Sequence, residues 1–261
     1  MGLDFERKQV VVDGLLLNYY FYIPENKPER SLIFLHGWRS ESSVWFKLLE
    51  NGRYNEFNIY LLDLPGYGKS QTPKVNFNLE NYAEIVNKFI EKLNLQKPSV
   101  IGHSFGGAVL IKLASLDENS IDKLILIGAS GIRNKKLKKS IIKSIAKAIS
   151  PLFRPKFMQD MRINLYRMIG SDDYVATPHL KEIYLNVIKE DLTEDLKKIR
   201  NKTLLIWGEK DKDTPLRDGL LMKKNIKNSR LNIIKSAGHF SFITDSDLVS
   251  DYIINFINQN V

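Results

Sequence analysis

The stretch Lys97-Pro98-Ser99-Val100-Ile101-Gly102-His103-Ser104-Phe105-Gly106-Gly107-Ala108-Val109-Leu110-Ile111-Lys112-Leu113-Ala114 decides how this chain is read. A short apolar run leads into a Gly-x-Ser-x-Gly turn, and a strong helix former follows it. Strand, tight turn and helix in that order are what a nucleophile elbow requires. In such a turn strand and helix pass so close that a Cβ at Gly102 or Gly106 is expected to clash. Ser104 is then forced into a strained backbone conformation, its hydroxyl held out at the helix N-terminus. There the helix dipole and the free N–H groups favour developing negative charge.

On either side of this turn the chain alternates between strand and helix signals. Residues 9–12 and 15–23 flank Asp13-Gly14 and read as a hairpin. Apolar runs at 31–35 and 58–62 read as strands, the first ending at His36-Gly37 and the second at Asp63-Leu64-Pro65-Gly66-Tyr67-Gly68. Leu79, Tyr82, Ile85, Val86, Phe89, Ile90 and Leu93 fall on one face of a helix over 78–93. Further strands are expected at 123–127, 203–207 and 231–234, and helices at 216–226 and 248–257. Short apolar strands separated by helices predict an α/β fold with a mostly parallel sheet, covered on both faces. Ligands bind such sheets at the loops beyond the C-terminal strand ends, where all the candidate motifs of this chain fall. The core is expected to comprise residues 1–131 and 200–261. Between them, residues 132–199 contain no clear strand, breaks at Pro151 and Pro155 and a loop at Gly170-Ser171-Asp172-Asp173. They are read as a helical cap, or lid, inserted between strands of one sheet.

The 261 residues suffice for one α/β domain with an insertion. A hydrophobic content of 43% and a charged content of 26% are those of an ordinary soluble globule. No cysteine is present, which excludes disulfides and thiolate metal sites. With no secretory h-region and no apolar run approaching the ~20 residues of a membrane span, the expectation is a cytoplasmic protein without stable membrane insertion. The net charge of +9 comes from lysines spread over most of the chain, so no nucleic-acid partner is inferred from it. One basic stretch stands apart. In residues 134–150, Leu137, Ile141, Ile145 and Ala148 share a helical face, with Lys135, Lys136, Lys139 and Lys143 elsewhere. It reads as a cap helix packed on the core with a solvated lysine face, or as a peripheral contact with an anionic surface. Phe153, Phe157, Met158, Met161 and Met168 are candidates for an acyl pocket or for the cap's own core.

A serine hydroxyl is a poor nucleophile until a base takes its proton. Of four histidines, His36 and His103 sit inside strand-end turns and read as structural, and His179 lies in the insertion. His239, in Ser236-Ala237-Gly238-His239-Phe240, follows a strand and precedes the last helix, where a loop can bring an imidazole beside the serine. The carboxylate such a base needs is offered by Gly208-Glu209-Lys210-Asp211-Lys212-Asp213-Thr214-Pro215. Asp211 is the first choice, with Asp213 and Glu209 as competitors. The order Ser104, Asp211, His239 is the chain order of triads built on this kind of sheet.

With these residues in place, the chain resembles the α/β-hydrolase fold family, in the subgroup with a helical cap. His36-Gly37-Trp38 resembles its oxyanion loop and Asp63-Leu64-Pro65-Gly66-Tyr67-Gly68-Lys69-Ser70 the loop after the next strand. Gly102-His103-Ser104-Phe105-Gly106-Gly107 resembles the elbow, Gly208 to Pro215 the acid loop, and Ala237-Gly238-His239 the histidine loop. The resemblance implies hydrolysis through an acyl-enzyme, with the backbone N–H groups of Trp38 and Phe105 as the oxyanion hole and with neither metal nor organic cofactor. Many relatives continue His-Gly-x-Gly; Arg39 stands here instead, and is expected to place a guanidinium at the pocket mouth. Arg39 and Phe240 are candidate substrate-binding residues.

The expected function is hydrolysis of a small-molecule carboxylic ester or related acyl substrate by a monomer or homodimer. The same triad also serves C–C bond hydrolases and perhydrolases. A slowly turning-over, ligand-binding signalling protein is the alternative from another class.

Overall fold

A computed structural model describes residues 3–26, 28–133 and 180–259. The basic stretch 134–150, residues Phe153, Phe157, Met158, Met161 and Met168, and His179 lie outside the described residues, as does most of the segment expected to form a cap. Eight strands form one sheet in the order β1-β2-β4-β3-β5-β6-β7-β8. They are Glu6–Val12 (β1), Leu15–Tyr22 (β2), Ser31–Leu35 (β3), Asn58–Leu62 (β4), Ser99–His103 (β5), Lys123–Ile127 (β6), Lys202–Gly208 (β7) and Ser229–Ile234 (β8). β1 pairs antiparallel with β2, and β2 antiparallel with β4; every pairing from β4 to β8 is parallel. The hairpin turns at Asp13 and Gly14, both with positive φ (51° and 77°), as a two-residue turn matched to strand twist demands.

The helices among the described residues are Phe46–Leu49 (α1), Leu79–Lys92 (α2), Phe105–Leu116 (α3), Lys181–Val187 (α4), Thr193–Leu196 (α5), Leu216–Asn225 (α6), Ser241–Thr244 (α7) and Ser246–Asn258 (α8). The elements read from the sequence are present within three residues at either end, the largest difference being β1, which starts at Glu6 rather than at residue 9. A 3₁₀ turn at Ser42–Trp45, α1 and α7 are additions to it. They are too short to show a helical period, and Trp45 and Phe242 within them are held by packing at 4.5 Å between ring centroids.

Alternation along the strands divides the core in two. Ile33, Leu35, Val100, Leu124, Leu126 and Leu205 face one cluster with α2 and α3. Leu32, Phe34, Ile101, Ile125, Ile127, Leu204 and Ile206 face the other with α8. Since side chains point alternately to opposite faces, a strand buried on both reads as an unbroken apolar run. Lys123, at the start of β6, extends its Nζ to the carbonyl oxygens of Phe256, Ile257 and Gln259 and so caps the end of α8. Arg133 and Glu190, 57 residues apart in sequence, meet in space: Arg133 Nε donates to the Glu190 carbonyl at 3.2 Å. The Glu190 carboxylate also accepts from the backbone N–H of Leu79, the first residue of α2, at 2.8 Å. Leu192, Leu196 and Ile199, beyond α4, are fully buried in the first core cluster.

Candidate active site

The elbow is built by absence of side chains. A Cβ on Gly106 would run into the backbone oxygen of Leu35 and lie 2.7 Å from that of His36. A Cβ on Gly102 would stand 2.7 Å from the nitrogen of Gly107. With strand and helix so close, Ser104 caps α3 at φ 50°, ψ −111°, a strained conformation for a residue with a side chain. The turn is clamped on both sides: Ser104 N–H donates to Ile127 O at 3.1 Å and Gly106 N–H to His36 O at 3.1 Å. Phe105, the first residue of α3, directs an N–H that has no acceptor within the helix.

Gly37, after β3, lies against this turn. A Cβ there would be 3.3 Å from Ser104 Cβ and 3.0 Å from His103 Nδ1, so the loop carrying Trp38 borders the serine directly. His36 fixes that loop. Its Nδ1–H donates to Gly37 O at 2.8 Å, and its Nε2 accepts from Leu64 N–H at 3.0 Å. Full burial pushes its pKa down, and both bonds suit the neutral ring. The Trp38 ring packs on Tyr67, Phe105 and Tyr184, with centroids 5.4, 5.1 and 5.2 Å away. Tyr67 lies within the loop motif 63–70, but its ring was not read as part of the site; Tyr184 of α4 belongs to no motif.

The second half of the site joins the loops after β7 and β8. Glu209 N–H donates to Ile234 O and Lys210 N–H to Ala237 O, at 3.0 and 2.9 Å. Gly208 admits this approach, since a Cβ would meet the carbonyl of Gly238. The result is a contact of 2.8 Å between His239 Nδ1 and Asp211 Oδ2. Asp211 also accepts from the backbone N–H groups of Asp213 and Thr214 on Oδ1, both at 2.9 Å, and from the Thr214 hydroxyl on Oδ2 at 2.8 Å. Burial works against an ionised carboxyl there. The bonds from His239 and Thr214 outweigh it and hold the Asp211 pKa below its usual range. An ionised acceptor makes Nδ1 the donor and leaves Nε2 of His239 free to accept.

Of the competing acids, Asp213 is exposed, and Glu209, also exposed, accepts from Ser236 N–H at 3.3 Å. Among the described residues, Asp211, Asp213 and His239 are the group whose ligand atoms converge, within 4.8 Å of one another. Asp211 and His239 spend their facing atoms on each other, which does not suit a cation.

His103 lies between the two halves. Its ring is 4.5 Å from that of His239, and its Nε2–H donates to the His239 carbonyl at 3.0 Å. Burial, reinforced by the neighbouring imidazole, pushes its pKa down to about 3. It therefore stays neutral and puts no positive charge beside His239. Arg39 is exposed, with a φ of 57°. That left-handed value explains why glycine suits the position and is met by arginine only with strain. Phe240 is 48% exposed and stands 5.3 Å from the rings of both His103 and His239. Thr214 and Gly128 were missed in the sequence. Thr214, three residues after an aspartate, carried the one available signal, a local side-chain turn.

A family model described as alpha/beta hydrolase fold matches residues 30–186. The chain belongs to the alpha/beta hydrolase fold family. Within it, the AB hydrolase superfamily protein YisY of Bacillus subtilis is 26% identical over 253 residues, covering 88% of this chain and 92% of that one. The 2-hydroxy-6-oxononadienedioate/2-hydroxy-6-oxononatrienedioate hydrolase of Escherichia coli K12 is 23% identical over 257 residues, 88% of this chain and 87% of that one. The crystal structure of the enol-lactonase from Burkholderia xenovorans LB400 superposes with a TM-score of 0.75 at 20% identity, covering 97% of this chain and all 100% of that one, and shares the alpha/beta hydrolase fold. No helix among the described residues is long and apolar enough to cross a membrane.

Proposed function

We propose that this protein is a serine hydrolase that cleaves carboxylic esters through an acyl-enzyme. The observation that carries the reading is the pairing of His239 with a buried, fully hydrogen-bonded Asp211, on the same end of the sheet as a strained Ser104. Ser104 Oγ attacks the ester carbonyl carbon, and its proton passes to Nε2 of His239. Asp211 keeps the ring in the Nδ1–H tautomer and stabilises the imidazolium without itself being protonated. The oxyanion of the tetrahedral intermediate is held by the N–H groups of Trp38 and Phe105, donors whose loss costs ~3–4 kcal/mol in comparable sites. The alcohol leaves with the proton from His239. Water, deprotonated by the same histidine, then attacks the acyl carbon and releases the acid.

The Trp38, Tyr67, Phe105 and Tyr184 rings support an apolar or aromatic acyl group beside the serine. The test is labelling with a fluorophosphonate probe together with turnover of short p-nitrophenyl esters. Modification at Ser104 alone, with brisk turnover, is expected. Labelling at Ser104 with turnover of a vinylogous diketone but not of esters would move the chemistry to C–C hydrolysis. Negligible turnover of both would leave a binding protein.

A further inference from the structure

The hydroxyl of Thr214 has more neighbours than it has protons. Oγ1 lies 2.8 Å from Asp211 Oδ2, 3.0 Å from Gly128 O and 3.3 Å from His239 Nδ1. A threonine hydroxyl gives one proton and accepts through two lone pairs. Nδ1 already donates to Oδ2, so the Thr214 proton goes either to a carboxylate or to a neutral carbonyl. The carboxylate is closer, and a charge-assisted bond is about twice as strong as a neutral one. Asp211 thereby fills its four acceptor positions: two backbone N–H groups on Oδ1, and the hydroxyl and the imidazole on Oδ2.

The hydroxyl is not free to wander. Thr214 is buried, its own N–H is tied to Asp211 Oδ1, and its carbonyl accepts from Trp207 Nε1–H at 2.7 Å. Gly128, with φ 49°, closes the cluster from the end of β6. A Cβ there would stand 3.1 Å from Asp211 Oδ2 and 3.4 Å from Thr214 Oγ1. Among the described residues, the charged or titratable groups facing His239 are Asp211 and Asp213 from the loop after β7 and His103 from the end of β5. Asp218 of α6 is near enough to feel the Asp211 charge, which adds to burial in raising its pKa.

We propose that Thr214 is a positioning residue which fixes the Asp211 carboxylate and sets the pH at which His239 becomes an active base. The inference rests on the hydrolase reading above. A hydroxyl bond to Oδ2 draws charge from the carboxylate and weakens its pull on the imidazolium. Thr214→Val keeps the shape, removes that bond and leaves an unfilled lone pair in a dry pocket. The carboxylate then holds the imidazolium more firmly, so a higher pH is needed to free the base.

The experiment measures the rate of Ser104 modification by a fluorophosphonate across mildly acidic to neutral pH in the parent, Thr214→Val and Thr214→Ser. For Thr214→Val the midpoint should move up by about half a pH unit. The plateau rate should fall ~10-fold, as when a group supporting a reactive centre is lost. Thr214→Ser should restore both. A valine variant with the parent's profile, or a serine variant shifted as far as the valine, would overturn the proposal. If the parent is not labelled at Ser104 at all, the hydrolase reading itself fails.

Discussion

The elbow and the acid–histidine corner lie at one end of the same sheet and are held by opposite means. At the elbow, main chain touches main chain: Gly102 and Gly106 leave no room for a methyl group, and Ser104 is strained as a consequence. At the corner, Gly208 lets the two loops close, but what fixes the site is polar side chains and N–H groups converging on one carboxylate, with Gly128 leaving room beside it. A steric constraint and a hydrogen-bonded one fail differently. The first should give way by unfolding, the second by losing the reaction while the fold survives.

The largest effect expected from this contrast is chemical. Asp211→Asn should keep the geometry but favour the wrong tautomer of His239, lowering kcat by on the order of 10⁴ with an unchanged far-ultraviolet circular dichroism spectrum. Asp213→Asn, on an exposed side chain, should remain within about twofold of the parent. The opposite ranking would transfer the role of the acid to Asp213. At the elbow the order of damage reverses. Gly106→Ala should cost about 3 kcal/mol or more, because neither backbone oxygen it meets can retreat, and a urea titration reads this directly.

A smaller effect follows from His103. Its folded pKa lies near 3, far below the ordinary histidine value of the unfolded chain, and that of His36 is lowered too. Unfolded chains therefore take up protons that the native state refuses. The stability these rings contribute is fully present above the unfolded value and is lost progressively as pH falls toward the folded one. The unfolding free energy read from urea titrations should fall by a few kcal/mol in total between neutral pH and pH ~4. His103→Gln, which keeps a donor for the His239 carbonyl, should flatten that slope. An equally steep slope in the variant would assign the effect elsewhere.

The smallest prediction concerns Arg39. Because φ is 57° on an exposed residue, Arg39→Gly should relieve strain and raise stability by about 0.5 kcal/mol. With Arg39→Gln, a preference of the parent for esters bearing a terminal carboxylate should disappear, measured as kcat/KM on a matched neutral and anionic pair. Equal selectivity in both proteins would return Arg39 to the ordinary surface.

The amino-acid sequence by itself determined the strands, the long helices and the elbow. Strands buried on both faces are unbroken apolar runs, and the turn at Ser104 is set by glycines within four residues of one another. Such features depend on neighbours along the chain. The tertiary structure decided what depends on neighbours across it. Asp211, Asp213 and Glu209 are chemically alike and adjacent in sequence. Only the lacing of the loops after β7 and β8 brings Asp211 to His239 and leaves the other two in solvent. Gly128 and Thr214 gained their places in the same way, from strands whose paired residues are 79 apart in number, β6 beside β7 from Lys123 opposite Lys202 onward. A hydrogen bond reaches about 3 Å, and which donor arrives within that distance of a buried carboxylate is settled by packing, not by composition.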